Sequence, residues 1–118
     1  MSNTFFGVAV DCVDAASLAR FWADVLGREV ADHPTQEHAV VLVDDEGVHG
    51  PRLAFHQVPE PKTVKNRLHL DLITTDFEGE TERLVGLGAR KLRDIEQGEA
   101  RWTTFGDVEG NEFDLIAG

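Results

Sequence analysis

Polar and apolar residues alternate from the start of the chain. Over residues 5–11, Phe6, Val8 and Val10 fall on one side of an extended strand and Gly7, Ala9 and Asp11 on the other. The period then changes. Leu18, Phe21, Trp22, Val25 and Leu26 recur at helical spacing, with Asp14 placed to cap the N-terminus of that helix and Gly27 to stop it. Three more strands are predicted at about 28–32, 39–43 and 52–58, with Asp44-Asp45-Glu46-Gly47 and Gly50-Pro51 marking the turn between the last two. Residues 67–73 return to the strand period, with Leu68, Leu70 and Leu72 on one face and Arg67, His69 and Asp71 on the other. Asp76 is the next N-cap, Phe77, Leu84, Val85 and Leu87 form a helix face, and Gly88 ends it. Strands at about 89–95, 100–105 and 112–116 follow, separated by turns at Gln97-Gly98 and at Asp107-Val108-Glu109-Gly110-Asn111.

The order strand–helix–strand–strand–strand therefore occurs twice. Val10-Asp11 is echoed by Leu70-Asp71, and Val25-Leu26-Gly27 by Gly86-Leu87-Gly88, about 60 residues further on. Between the halves, residues 59–66 contain Pro59 and Pro61 and little that is apolar, which makes an extended connector. The expectation is an α+β fold: a single domain over 1–118, built of two βαβββ modules at about 5–58 and 67–117. Each module buries one sheet face under its own helix. The other faces, as paired curved mixed sheets, are expected to enclose an open cup with one helix outside each sheet.

Charge narrows what such a fold would bind. The 118 residues include 22 Asp and Glu against 11 Lys and Arg, a net charge of -11. A surface that acidic repels phosphate backbones and anionic headgroups, so nucleic acid and membranes are not expected as partners, whereas a cationic small molecule is mildly favoured. Residues 1–60 hold ten acids against three bases, and residues 61–118 twelve against eight. No apolar run nears the roughly 20 residues of a membrane span, and residues 1–4 have no basic region ahead of an apolar stretch. The single cysteine, Cys12, forms no internal disulfide and reads as a small buried apolar residue. A cytoplasmic protein is expected.

Three segments carry a resemblance. Asp11-Cys12-Val13-Asp14 with Leu18-Ala19-Arg20-Phe21-Trp22 and Val25-Leu26-Gly27, the run from Phe55 through His69 to Leu72, and Asp107-Val108-Glu109-Gly110-Asn111-Glu112-Phe113 are similar to the first strand and helix, the middle signature and the last turn of the vicinal-oxygen-chelate superfamily. That is the glyoxalase/bleomycin-resistance/extradiol-dioxygenase group, and the chain looks like its small bacterial glyoxalase-like domains over about residues 5–116. The resemblance implies metal ligands on the first and fourth strands of each module. Carried onto this chain, it points to His69 and to Asp114, the latter where metal-binding members usually have Glu. The fourth strand of the first half offers Gln57, or His56 if the register slips by one. The first strand offers only Gly7 or Ala9, so the ligand expected there is missing. The resemblance also implies a homodimer.

The residues bear on this directly. An enclosed imidazole needs a partner for each nitrogen, so His69 and Asp71 are either a ligand- or metal-holding group or a satisfied polar pair lining a wet groove. Glu112 and Asp114 share a face of the last strand, and enclosed carboxylates repel unless a cation lies between them. A divalent metal (Mn, Fe, Ni or Zn) suits His69 and Asp114 with Glu112 or Gln57; the alternative is a solvated Asp114 at a rim. Trp22 belongs to the core, whereas Trp102 either packs or stacks on a planar ligand. Arg67 meets a ligand carboxylate or pairs with Asp71. His33, His38, His49 and His56 show no metal-ligand spacing, and no nucleophile elbow or phosphate loop is present. Two functions remain. One is a small-molecule enzyme, a metal-assisted lyase, isomerase or dioxygenase, with His69 and Asp114 on the metal and Gln57, Arg67, Asp71, Trp102 and Glu112 on the ligand. The other is a non-enzymatic binder that sequesters a cationic drug or metabolite. The intact His69 favours the first, and the missing first-strand ligand with the net charge favours the second.

Overall fold

The computed structural model of the chain describes residues 2–43 and 50–118, so the turn expected at 44–47 and His49 lie outside the described residues. The chain divides into two compact units, Met1–Pro61 and Lys62–Gly118.

In the first unit, β1 (Gly7–Cys12) leads to Asp14, whose side chain accepts the Ser17 N–H at 3.2 Å and starts α1 (Ala15–Leu26). Gly27 ends the helix at φ 65, a left-handed conformation that a residue with a Cβ adopts only at a cost. The stripe of Leu18, Phe21, Trp22 and Val25 is buried. It packs on a sheet in which β3 (Arg52–Gln57) lies between β1, parallel to it, and β2 (His38–Val41), antiparallel. Leu53 and Phe55, fully buried, occupy the face covered by α1. The strand expected at 28–32 is reduced to one bridge, Val30 to Val41. Backbone bonds from Ala31 and to Glu29 hold it beside β2 and its extension, but His33 at φ 63 and Pro34, which has no N–H, stop the ladder.

The second unit contains β4 (Leu70–Thr74), α2 (Phe77–Leu87), β5 (Arg90–Gln97), β6 (Ala100–Gly106) and β7 (Glu112–Ala117), with sheet order β4-β7-β6-β5. The β4–β7 pair is parallel and the other two pairs are antiparallel. Each half thus follows a βαβββ-like pattern in an α+β fold, and neither sheet closes on itself. Asp76 caps α2 through the Gly79 N–H, as expected, and Gly88 ends it. The helix stripe is narrower than expected. Phe77 and Leu84 are buried, but Val85, about 100° further round the helix, is half exposed. Thr103, Phe105, Phe113 and Leu115 are buried beneath α2, and the Phe105 and Phe113 rings stack with centroids 5.5 Å apart. Arg101, on the same face, reaches over the Phe77 ring and pairs with Glu78 of α2. By alternation, Asp71, Trp102, Thr104, Asp114 and Ile116 occupy the opposite face.

The turn into β7 is organised by one buried carboxylate. Asp107 accepts the N–H groups of Glu109 and Asn111, both at 2.9 Å, and the Asn111 side-chain amide at 3.1 Å. Replacing Asp107 by Ala leaves these donors without their acceptor at a largely buried position. The expected result is a loss of about 2–3 kcal/mol of stability, read by urea denaturation.

Candidate metal centre

The parallel register of β4 and β7 places Asp71 opposite Asp114, so the two side chains leave the sheet side by side. His69 lies one residue ahead of β4, two before Asp71. Its Nδ1 is 3.0 Å from Asp71 Oδ1 and 3.3 Å from Asp114 Oδ2. One donor atom from each of the three lies within 4.8 Å of the other two, and among the described residues no other group of three His, Cys, Asp or Glu side chains converges this closely. A carboxylate only accepts, so the bond to Asp71 places a proton on His69 Nδ1. Behind Asp114, the buried Thr104 hydroxyl on β6 donates to Oδ1 at 2.6 Å. The Asp114 side chain is 13% exposed, against 45% for His69 and 53% for Asp71. The group therefore has a fixed inner carboxylate and two outer members open to solvent.

One imidazole nitrogen with two carboxylates is a donor set that suits a divalent cation, and Thr104 supplies the outer support that a ligating carboxylate needs. Lewis-acid chemistry and simple cation binding are both within reach of such a group.

The remaining sequence candidates separate. Glu112, expected beside Asp114, is turned to the connector: its carboxylate accepts from Lys62 Nζ at 3.0 Å and from the Asn66 backbone N–H at 3.1 Å, and the side chain is 11% exposed. Burial pushes its carboxyl up, but the Lys62 ammonium and the Asn66 amide outweigh it and hold the group below its ordinary value of 4.5. Arg67 is exposed and makes no ion pair with Asp71, whose partner is His69. Trp102, half-buried, shares the sheet face of Asp114 two residues along β6 from Thr104.

In the first unit, Gln57 follows Phe55 onto the face that α1 covers and donates to the Val13 carbonyl at 2.9 Å. The opposite face carries His56 instead, in register with Asp11. On that face no ligand fits at Gly7, because a Cβ there would lie 2.7 Å from the Arg52 carbonyl oxygen. The absence of a first-strand ligand thus has a steric cause at one of its two positions, and Ala9 has no donor at the other. Sequence reasoning assigned Asp71 to the ligand and missed Thr104 altogether. The pairing of residue 71 with 114 and of 104 with 114 depends on strand register, which local spacing does not carry.

The sequence profile of a glyoxalase-like domain family matches residues 7–116. No curated protein sequence matches the chain. Among solved structures, a FosX mutant from Listeria monocytogenes, a fosfomycin resistance protein complexed with Mn(II) and 1S,2S-dihydroxypropylphosphonic acid, is 17% identical with a TM-score of 0.78 over 100% of this chain and 92% of its own. A member of the glyoxalase/bleomycin resistance protein/dioxygenase superfamily from Sphaerobacter thermophilus is 17% identical with a TM-score of 0.70, covering 100% of both chains. The oxidase ChaP-H2 is 19% identical with a TM-score of 0.71, over 100% of this chain and 95% of its own. At such identities the likeness is one of fold.

The depressed Glu112 carboxyl gives a pH dependence with a definite sign. Its contribution to stability is fully present above the unfolded value near 4.5 and disappears as pH falls through the lower folded value. Glu112→Gln is expected to be less stable than wild type at pH 7, with the gap closing below about pH 4.5. Urea denaturation across a pH series reads this directly.

Proposed function

The chain belongs to the glyoxalase-like domain family, and from that premise we propose that it acts on a small molecule with adjacent oxygens through a divalent cation held by His69, Asp71 and Asp114. The observation that carries this reading is the convergence of those three donors from β4, β7 and the lead-in to β4. Two carboxylates would balance the charge of a divalent ion, and His69, on losing its Nδ1 proton, would supply the nitrogen ligand. A cation so held supplies a Lewis acid for the ligand oxygen, the starting point for lyase, isomerase and dioxygenase chemistry alike. The Listeria FosX complex, with Mn(II) and a dihydroxy phosphonic acid in the same fold, supports this class of ligand.

The chain's own residues then divide the work. Thr104 orients Asp114, and Trp102 offers an aromatic surface on the same face for a planar part of the ligand. Arg67, exposed two residues before His69, would meet a ligand anion. The competing reading is a metal-free binder of a cationic molecule, and it rests on the first strand, where neither Gly7 nor Ala9 offers a donor.

Mn(II) titration of tag-free protein by calorimetry separates the two. The expected outcome is one equivalent bound by wild type and none by His69→Ala or Asp114→Ala. No Mn(II) uptake by wild type, with no effect of chelators, would sink the metal reading in favour of the binder. Thr104→Val should keep the site but weaken it by about 10- to 100-fold, as loss of an outer-shell hydrogen bond does.

A further inference from the structure

The first unit carries a different arrangement of donors. His38 on β2 and His56 on β3 are register partners, eighteen positions apart in sequence and directly opposite in the sheet. The Gln57 N–H donates to the Glu37 carbonyl at 2.9 Å, which makes the neighbouring pair the hydrogen-bonded one. His38 and His56 therefore form a non-hydrogen-bonded pair, the geometry in which cross-strand side chains approach most closely. Their ring centroids are 4.9 Å apart with the planes at 43°, and both side chains are exposed.

We propose that His38 and His56 form a second cation site, selective for late first-row divalent ions such as Cu(II), Ni(II) or Zn(II). A metal bound at the usual 2.0–2.1 Å from an imidazole nitrogen lies about 3.2 Å from that ring's centroid. Two centroids 4.9 Å apart then subtend roughly 100° at the metal, between the octahedral and tetrahedral angles. Side-chain rotation that turns one nitrogen of each exposed ring to the metal completes the pair, with water filling the shell. Asp11, the register partner of His56 on its other side, adds a carboxylate to the same row. Residues 1–60, with ten acids against three bases, set a field that attracts cations.

The site shares no residue with the His69 group and differs from it in donor type. Paired neutral nitrogens select ions late in the Irving–Williams order, whereas two carboxylates with one imidazole also accept Mn(II). The two sites are thus separable by the choice of metal.

The test is calorimetric titration of tag-free, full-length protein with Cu(II), and separately with Mn(II), in wild type, His38→Ala, His56→Ala and His69→Ala. Wild type is expected to take two equivalents of Cu(II). His38→Ala and His56→Ala should each lose one, with Mn(II) uptake and the far-ultraviolet circular dichroism unchanged. Electron paramagnetic resonance should report two nitrogen ligands for the equivalent that is lost. Retention of both Cu(II) equivalents in either histidine variant overturns the proposal, as does a wild type whose Cu(II) uptake is abolished by His69→Ala alone. Failure of the His69 site instead appears as no Mn(II) uptake by wild type, or uptake that His69→Ala leaves unchanged, while His38→Ala and His56→Ala still each lose one Cu(II) equivalent, so the two outcomes are told apart.

Discussion

Parallel pairing of β4 with β7 forces two carboxylates, Asp71 and Asp114, into neighbouring positions about 4.8 Å apart across the sheet. The inner one, Asp114, cannot withdraw. Asp114 lies between Phe113 and Leu115, both anchored in the core under α2, so a shift of β7 by one residue would exchange a buried aromatic for an acid. Paired acceptors of this kind need donors facing them, and the second unit answers with the Nδ1–H of His69 and the Thr104 hydroxyl. A cation is the stronger form of the same answer. Core packing and site chemistry therefore occupy alternate residues of one strand, and the first determines where the second stands.

Much of this was legible in the residue pattern. Asp14, Gly27, Asp76 and Gly88 announce their helices because capping is a local matter: the side chain, or the absence of one, acts within a single turn. Alternation placed His69, Asp71 and Asp114 on polar strand faces for the same reason. What failed depended on register or tertiary cover. Residues 28–32 have strand composition, yet His33 and Pro34 leave them a single bridge. Gln57 and His56 differ by one position, and which of them faces away from α1 was decided by the pairing of β3 with β1. Arg67 and Asp71 share a sequence parity, but Arg67 lies in a bend outside β4, where parity no longer fixes direction.

The two halves share a plan and differ in chemistry. In the first, close approach of Gly7 to the Arg52 carbonyl denies one strand position any side chain. In the second, a histidine, two aspartates and a threonine assemble within one sheet and its lead-in. Each half can hold its donor group by its own strand register. Duplicated architecture has here been filled with unlike residues: mixed nitrogen and oxygen donors in one unit, and a facing pair of imidazoles in the other.

The clamp that Glu112 makes on Lys62 and Asn66 bears on the order in which the second unit assembles. The Lys62–Glu112 contact closes a loop of 50 positions, whereas the β5–β6 hairpin turns in two residues at Gly98-Glu99. Loop-closure entropy sets the long contact behind the short one, so the hairpin nucleates and the connector docks once β7 has found β4. Reversal follows the same logic. Residues 59–65 of the connector are exposed, so their release uncovers no core, which makes the connector a local opening through which the chain leading into His69 exchanges with solvent while the sheet stays folded.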